Sequence, residues 1–229
     1  MKRISGWDLL QSRRYKEALT RFTDDYAQNP SNGILTNIGI TYLCMGDTQG
    51  AKVIFDKMLR QADPEDDDGL YAYLGLIHWL EDDPNEAVAF WKRGLNCQYR
   101  DEAGGMELPL LLLYAGVRAP KSFDCNAAIK LVSQRLESEW AENWPGPIGR
   151  FVVGQIDESE MRHCARFDVE LVEKQQLVQA EFYVGVERLS CGDKDAFHNS
   201  MAICASQPGC EVLYEPFLAK HELKRQGQN

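Results

Sequence analysis

Three times in its first hundred residues this chain sets a glycine and an alanine twelve positions apart: Gly6 and Ala18, Gly39 and Ala51, Gly75 and Ala87. The best preserved unit reads Leu35-x2-Ile38-Gly39-x2-Tyr42, a turn at Met45-Gly46-Asp47, then Ala51-x3-Phe55. A third reads Tyr71-x2-Leu74-Gly75-x2-His78, Asp82-Asp83-Pro84, then Ala87-x3-Trp91. The first is worn: Gly6 and Leu9, a turn around Arg13-Arg14-Tyr15, then Ala18-x3-Phe22 and Pro30 as a helix stop. Small residues at that spacing let two antiparallel helices approach closely. The large residues, Tyr42 and Phe55 in the second unit, fill the wedge toward the next pair. Random composition rarely repeats such a spacing three times, so the pattern constrains the fold before anything else does.

Apart from Leu35 for Trp and Ile38 for Leu, the best unit follows the tetratricopeptide (TPR) pattern W-x2-L-G-x2-Y…A-x3-F, and Ala18 to Ala51 is 33 residues, near the TPR period. The expected fold is all-α: a TPR-like helical-repeat superhelix of about six helix hairpins with a C-terminal capping helix. Its expected divisions are N-terminal repeats over 1–100, an irregular helical hairpin over 101–143, and TPR-like repeats with the capping helix over 144–229. Together they would form one continuous solenoid.

Beyond residue 96 the pattern loosens. Gly104-Gly105 breaks the chain before an apolar run, Leu108 to Val117, that reads as a buried helix. Phe123 to Trp140 reads as an amphipathic helix, with Ala128, Leu131, Val132, Leu136 and Trp140 on its apolar face. Asn143-Trp144-Pro145-Gly146-Pro147 is the clearest breaker, a joint across which Trp140, Trp144 and Ile148 are expected to pack. Ile148 to Gln155 reads as a short helix. Asp157 with Glu160 forms a capping-box start for a long helix that ends Glu181-x2-Val184-Gly185-x2-Arg188. Cys210 to Lys224 supplies the last helix, with Leu213, Phe217, Leu218 and His221 or Leu223 on one face.

The formal net charge of −10 argues against nucleic acid or an anionic membrane as partner and suits a basic protein. No apolar core with a cleavage site follows Met1, and the longest apolar run is about half a membrane span. Seven cysteines without paired spacing read as small buried residues in a reducing compartment, so a cytoplasmic location is expected.

Residues Pro147 to Ile156, Ala180 to Gly185 and Gly192-Asp193 resemble the second half of NlpI-type bacterial TPR lipoproteins. They are also similar to small cytoplasmic TPR proteins that act as immunity partners of polymorphic toxins, including those of Rhs type. The likeness covers roughly residues 145 to 224. The lipoproteins are envelope adaptors that recruit proteases and murein enzymes, but the chain shows neither a signal sequence nor a lipid-attachment cysteine. The resemblance therefore implies non-catalytic binding: occlusion of a basic toxin domain as an immunity protein, or a scaffold that recruits enzymes or assembly factors.

No enzymatic constellation is expected. A calcium loop with Gly69 at its sixth position would need an oxygen where Pro64 stands and a glutamate where Gly75 stands. His163-Cys164 and Cys191 with His198 lack CxxC, HxxxH or HExxH spacing, so no metal is expected, and no cofactor. The acidic run containing Glu65, Asp66, Asp67 and Asp68 reads either as a solvated turn or as steering for a basic partner. By the repeat register, Trp7, Asn37, Ile40, Tyr73, Leu76, Trp79, Tyr183 and Val186 would line the concave groove or its rim. Tryptophan and tyrosine are frequent binding hot spots, although each singly also suits a core. Only Asn37 could match the basic set by which some TPR proteins clamp a terminal carboxylate, so that binding mode is not expected. The register does not decide homo-oligomerisation.

Overall fold

The computed structural model describes residues 4–61, 67–98 and 100–227. Among them the chain is all-helical, with thirteen α-helices, one 3-10 turn and no β-strand element. In order these are α1 (Gly6–Gln11), α2 (Tyr15–Gln28), α3 (Asn32–Cys44), α4 (Thr48–Gln61), α5 (Asp68–Leu80), α6 (Pro84–Gly94) and α7 (Glu107–Arg118). Then follow α8 (Cys125–Arg135), the 3-10 turn Glu139–Glu142, α9 (Gly146–Val152), α10 (Glu158–Cys164), α11 (Glu170–Ser190), α12 (Lys194–Ser206) and α13 (Glu215–Gln226). Side-chain caps set many of the starts. Ser5, Ser31, Asp83, Asp124, Asp157 and Asp193 each accept a backbone N–H from the first turn that would otherwise be unsatisfied. Asp157 and Glu160 form the expected capping box.

Successive helices from α1 to α8 pack against one another in chain order. A second regularity explains how closely they do so. A Cβ on Gly6 would lie 2.4 Å from Phe22, one on Gly39 2.5 Å from Phe55, and one on Gly75 2.2 Å from Trp91. Gly185 meets Met201 in the same way at 2.8 Å. Each neighbour lies sixteen residues after its glycine (22 − 6, 55 − 39, 91 − 75, 201 − 185). Phe55 therefore lies over the glycine of its own pair, and its ring also stacks on Tyr73 of the next pair at 4.9 Å. Trp91 is fully buried as core, and its indole N–H donates to the Ala72 carbonyl at 3.1 Å.

Three sequence expectations need correction. The helix read over Phe123 to Trp140 stops at Arg135, whose guanidinium donates to the Leu95 carbonyl. Ser138 then caps a separate 3-10 turn and leaves Trp140 59% exposed, so Trp140 does not pack across the joint with Trp144 and Ile148. The long helix expected after Asp157 is two, broken between Cys164 and Glu170. The last helix begins at Glu215, five residues later than the pattern suggested.

The last helix also lies elsewhere than an end cap. The α13 helix packs on α5, α11 and α12 rather than on one terminal neighbour. Tyr73 Oη donates to the Val212 carbonyl at 2.8 Å, and Tyr73 meets the Tyr214 ring edge-on at 4.8 Å. Glu222, 2% exposed, receives Tyr114 Oη at 2.5 Å and a two-pronged pair from Arg118 at 2.9 and 2.7 Å. His221 Nε2 lies 3.2 Å from Asp82, and near the other end of this segment the Arg13 guanidinium stands 3.8 Å from Glu211. Residues 206–226 thus reach along the early helices from the α1–α2 turn to α7.

Candidate functional site

That segment decides the fate of the expected groove. Ile40, Tyr73, Leu76, Trp79, Tyr183 and Val186 are all buried, the most exposed being Tyr73 at 6%. They belong to the core rather than to an open wall, because the faces of α5, α7 and α11 pack on one another and on the C-terminal segment. The aromatic contacts run Trp91–Trp79–Tyr114–Phe182–Tyr183. Only Trp7 and Asn37 stay half-buried, beside a separate cavity of about 410 Å³ between α1, α2 and α3.

The acidic run fares differently. Glu65 and Asp66 lie outside the described residues. Asp67 and Asp68 stand at the start of α5 and line a cleft of about 390 Å³ with Arg100, Glu107 and Trp144. Through Arg100, Asp101 and Glu102 it continues into a second hollow of about 610 Å³, bordered by the exposed Trp140. Three segments far apart in sequence build this site: the α5 start, residues 100–107, and the 138–145 turn with Pro145 at its end.

The carboxylates here do different jobs. Asp67 caps α5, its Oδ1 accepting Gly69 N–H at 2.9 Å. Asp101 organises the loop before α7, its two oxygens accepting the Ala103, Gly105 and Glu107 amides at 2.9, 3.0 and 2.7 Å. Both are explained by backbone hydrogen bonds. Asp68 is less well served: it is 9% exposed, has no ion-pair partner among the described residues, and has only backbone amides for partners, Asp101 N–H at 3.3 Å and a weaker contact from Gly69. Burial, with the Asp101 charge next, pushes its carboxyl up to about 7. Glu107 is raised well above the usual range by burial and then by Asp101. Behind the Trp144 wall, the indole N–H donates to Gln179 at 2.7 Å, and Gln179 donates to Glu215 at 3.2 Å. Glu215 Oε2 has no hydrogen-bond partner among the described residues, and burial lifts that carboxyl to about 7. Clefts that gather carboxylates raised by desolvation are candidate functional sites.

The other sequence candidates lead elsewhere. Cys164 and Cys191 are exposed, against the expectation of buried thiols, while Cys97, Cys204 and Cys210 are buried and Cys44 and Cys125 partly so. Cys191 donates to Glu187 at 3.3 Å, and His198 packs on Phe197. Among the described residues no three His, Cys, Asp or Glu side chains are grouped to hold a metal ion, and no helix is long and apolar enough to cross a membrane. Sequence reasoning missed Arg100, Glu107, Trp140 and Trp144 as one site. The only signals were the two breakers, Gly104-Gly105 and Asn143 to Pro147, which mark the loops that carry them. Compared with known proteins, the chain matches no family model and none of the curated proteins.

Proposed function

We propose that this chain is a non-catalytic protein-binding module on a TPR-like superhelix of six helix pairs. Most concretely, it would be a cytoplasmic immunity protein that covers a basic toxin domain. The observation that carries the reading is the cleft, with Asp68 and Glu107 unmatched by any ion pair among the described residues, on a chain of net charge −10. With the concave residues in the core, the partner would dock at this acidic side, and aromatic side chains at the cleft edge would supply buried contact area. The test is a tagged purification from the native bacterium through a high-salt wash, then co-expression with the co-eluting protein. One stoichiometric partner whose toxicity this chain suppresses supports the reading.

A second surface favours the scaffold reading as runner-up. A hollow of about 570 Å³ between α10, α11 and α12, lined by Arg162, Leu177, Glu181 and the half-exposed Ile203, shares no residue with the cleft. A scaffold would use two such separable surfaces. Several substoichiometric partners in the same purification, none of them toxic, would replace the immunity reading with this one.

A further inference from the structure

Arg100 lines the cleft and Arg135 lies within electrostatic reach of its carboxylates, and each donates a side-chain hydrogen bond to a backbone carbonyl. Arg100 Nε donates to Cys97 O at 2.9 Å, and Arg135 Nη2 donates to Leu95 O at 3.0 Å. Neither closes on Asp68. A buried carboxylate without a cation destabilises a fold, and proteins retain such groups mainly where something else uses them. Here the group faces an open cleft. Beside it stand a second carboxylate, Glu107, without an ion pair among the described residues, and two indoles, Trp144 in the wall and Trp140 at the rim. Among the described residues Trp140 is the most exposed aromatic side chain and lies outside the hydrophobic core.

Resting on the protein-binding reading, we propose that this cleft is the receptor for one arginine side chain of a basic partner, its guanidinium between Asp68 and Glu107 and its plane against Trp144. Arginine fits better than lysine on three counts. Its planar fork can bond two carboxylates at once. Its face stacks on an indole. It is also more weakly hydrated than an ammonium, so entering a half-buried site costs it less. Trp140 then covers the aliphatic stem or the neighbouring residue of the partner and excludes water. Asp67 and Asp101 stay with the backbone and hold the cleft open; they are positioning residues.

The test uses N-acetyl-arginine amide and its neutral isostere N-acetyl-citrulline amide, titrated into the full chain while the indole ¹H–¹⁵N signals of Trp140 and Trp144 are followed. Arginine amide should give saturable shifts, with affinity on the millimolar scale for a single side chain, and citrulline amide should give none. Asp68→Asn should weaken arginine binding about tenfold or more, as loss of a charge-assisted contact does. The same variant should melt at a higher temperature at pH 8, because a neutral amide removes the uncompensated charge. A purely structural Asp68 would not move binding and stability in opposite directions. Equal shifts from both amides, or unchanged arginine binding in Asp68→Asn and in Glu107→Gln, would overturn the proposal. The probe is independent of any toxin. Arginine binding without neutralisation keeps this site and sinks the immunity reading, and neutralisation without arginine binding does the reverse.

Discussion

Glu222 and Asp68 are both buried carboxylates near the ends of helices, yet the chain treats them differently. Glu222 meets a guanidinium on two prongs and a phenol, so both its oxygens are occupied. Asp68 is left with backbone amides alone, Asp101 N–H at 3.3 Å and Gly69, beside two neighbouring acids, Asp67 and Asp101. The first arrangement fastens α13 to α7 and is finished within the chain. The second is electrostatically incomplete, and its missing component is positive. The contrast separates charge that serves the fold from charge left available to a ligand.

The contrast can be broken hardest at its finished end. Arg118→Ala would leave Glu222 buried with only Tyr114, and removal of one partner of such a pair costs about 3–5 kcal/mol. Urea unfolding should record that loss. A variant within about 0.5 kcal/mol of wild type would mean that the pair does little for the fold.

At the unfinished end the prediction concerns pH. Asp68 and Glu215 have folded-state values raised from 3.8 and 4.5 to about 7, so their protonated forms favour the fold. That favourable contribution is full below about pH 4 and is lost as pH rises through about 7, on the order of 3 kcal/mol for each group. Asp67 and Asp101 face Asp68 and deepen the loss, while Gln179 partly relieves Glu215. His221, lowered by burial beside Asp82, Glu222 and Arg225, runs the other way and removes stability as pH falls below its usual value. Denaturant midpoints should therefore decline between pH 5.5 and 8. Asp68→Asn together with Glu215→Gln should flatten that decline, and an unchanged slope would refute the assignment.

The glycine–aromatic contacts of the early hairpins, which involve no charged side chain, supply the control. Gly75→Ala drives a methyl into Trp91 and should cost about 1–3 kcal/mol at every pH. A cost that varied with pH would tie the hairpins to the acidic site. Smallest of all, Trp140→Ala should change stability by no more than about 0.5 kcal/mol, while weakening partner or arginine binding. A larger stability loss would return Trp140 to the core, where the sequence pattern had put it.

What the sequence revealed follows from the range of each contact. Gly39 and Phe55 lie within one hairpin, so their contact prints a fixed spacing into the chain and can be read without coordinates. The seat of α13 joins Tyr73 to Val212 and Tyr114 to Glu222 across more than a hundred residues, and no periodicity encodes such a pairing. For that reason the register placed Tyr73 and Trp79 along the concave groove or its rim, and gave no sign that the chain itself buries them. The acidic site was half legible. Asp67 and Asp68 stand out as charge, but Glu107 looks like an ordinary first-turn acid, and Trp140 continues a helical apolar stripe that Ser138 interrupts. Their meeting depends on where two loops fold back.

The placement of α13 also has a consequence for the order of synthesis. Ribosomes extend chains at about 5–20 residues per second, and some 135 residues separate the end of α5 from the start of α13 (215 − 80). For roughly ten seconds the nascent protein can form its early hairpins while the aromatic faces of α5 and α7 lack the helix that will cover them. During that interval a chaperone, or a neighbouring nascent chain, competes for a surface that the finished molecule never presents.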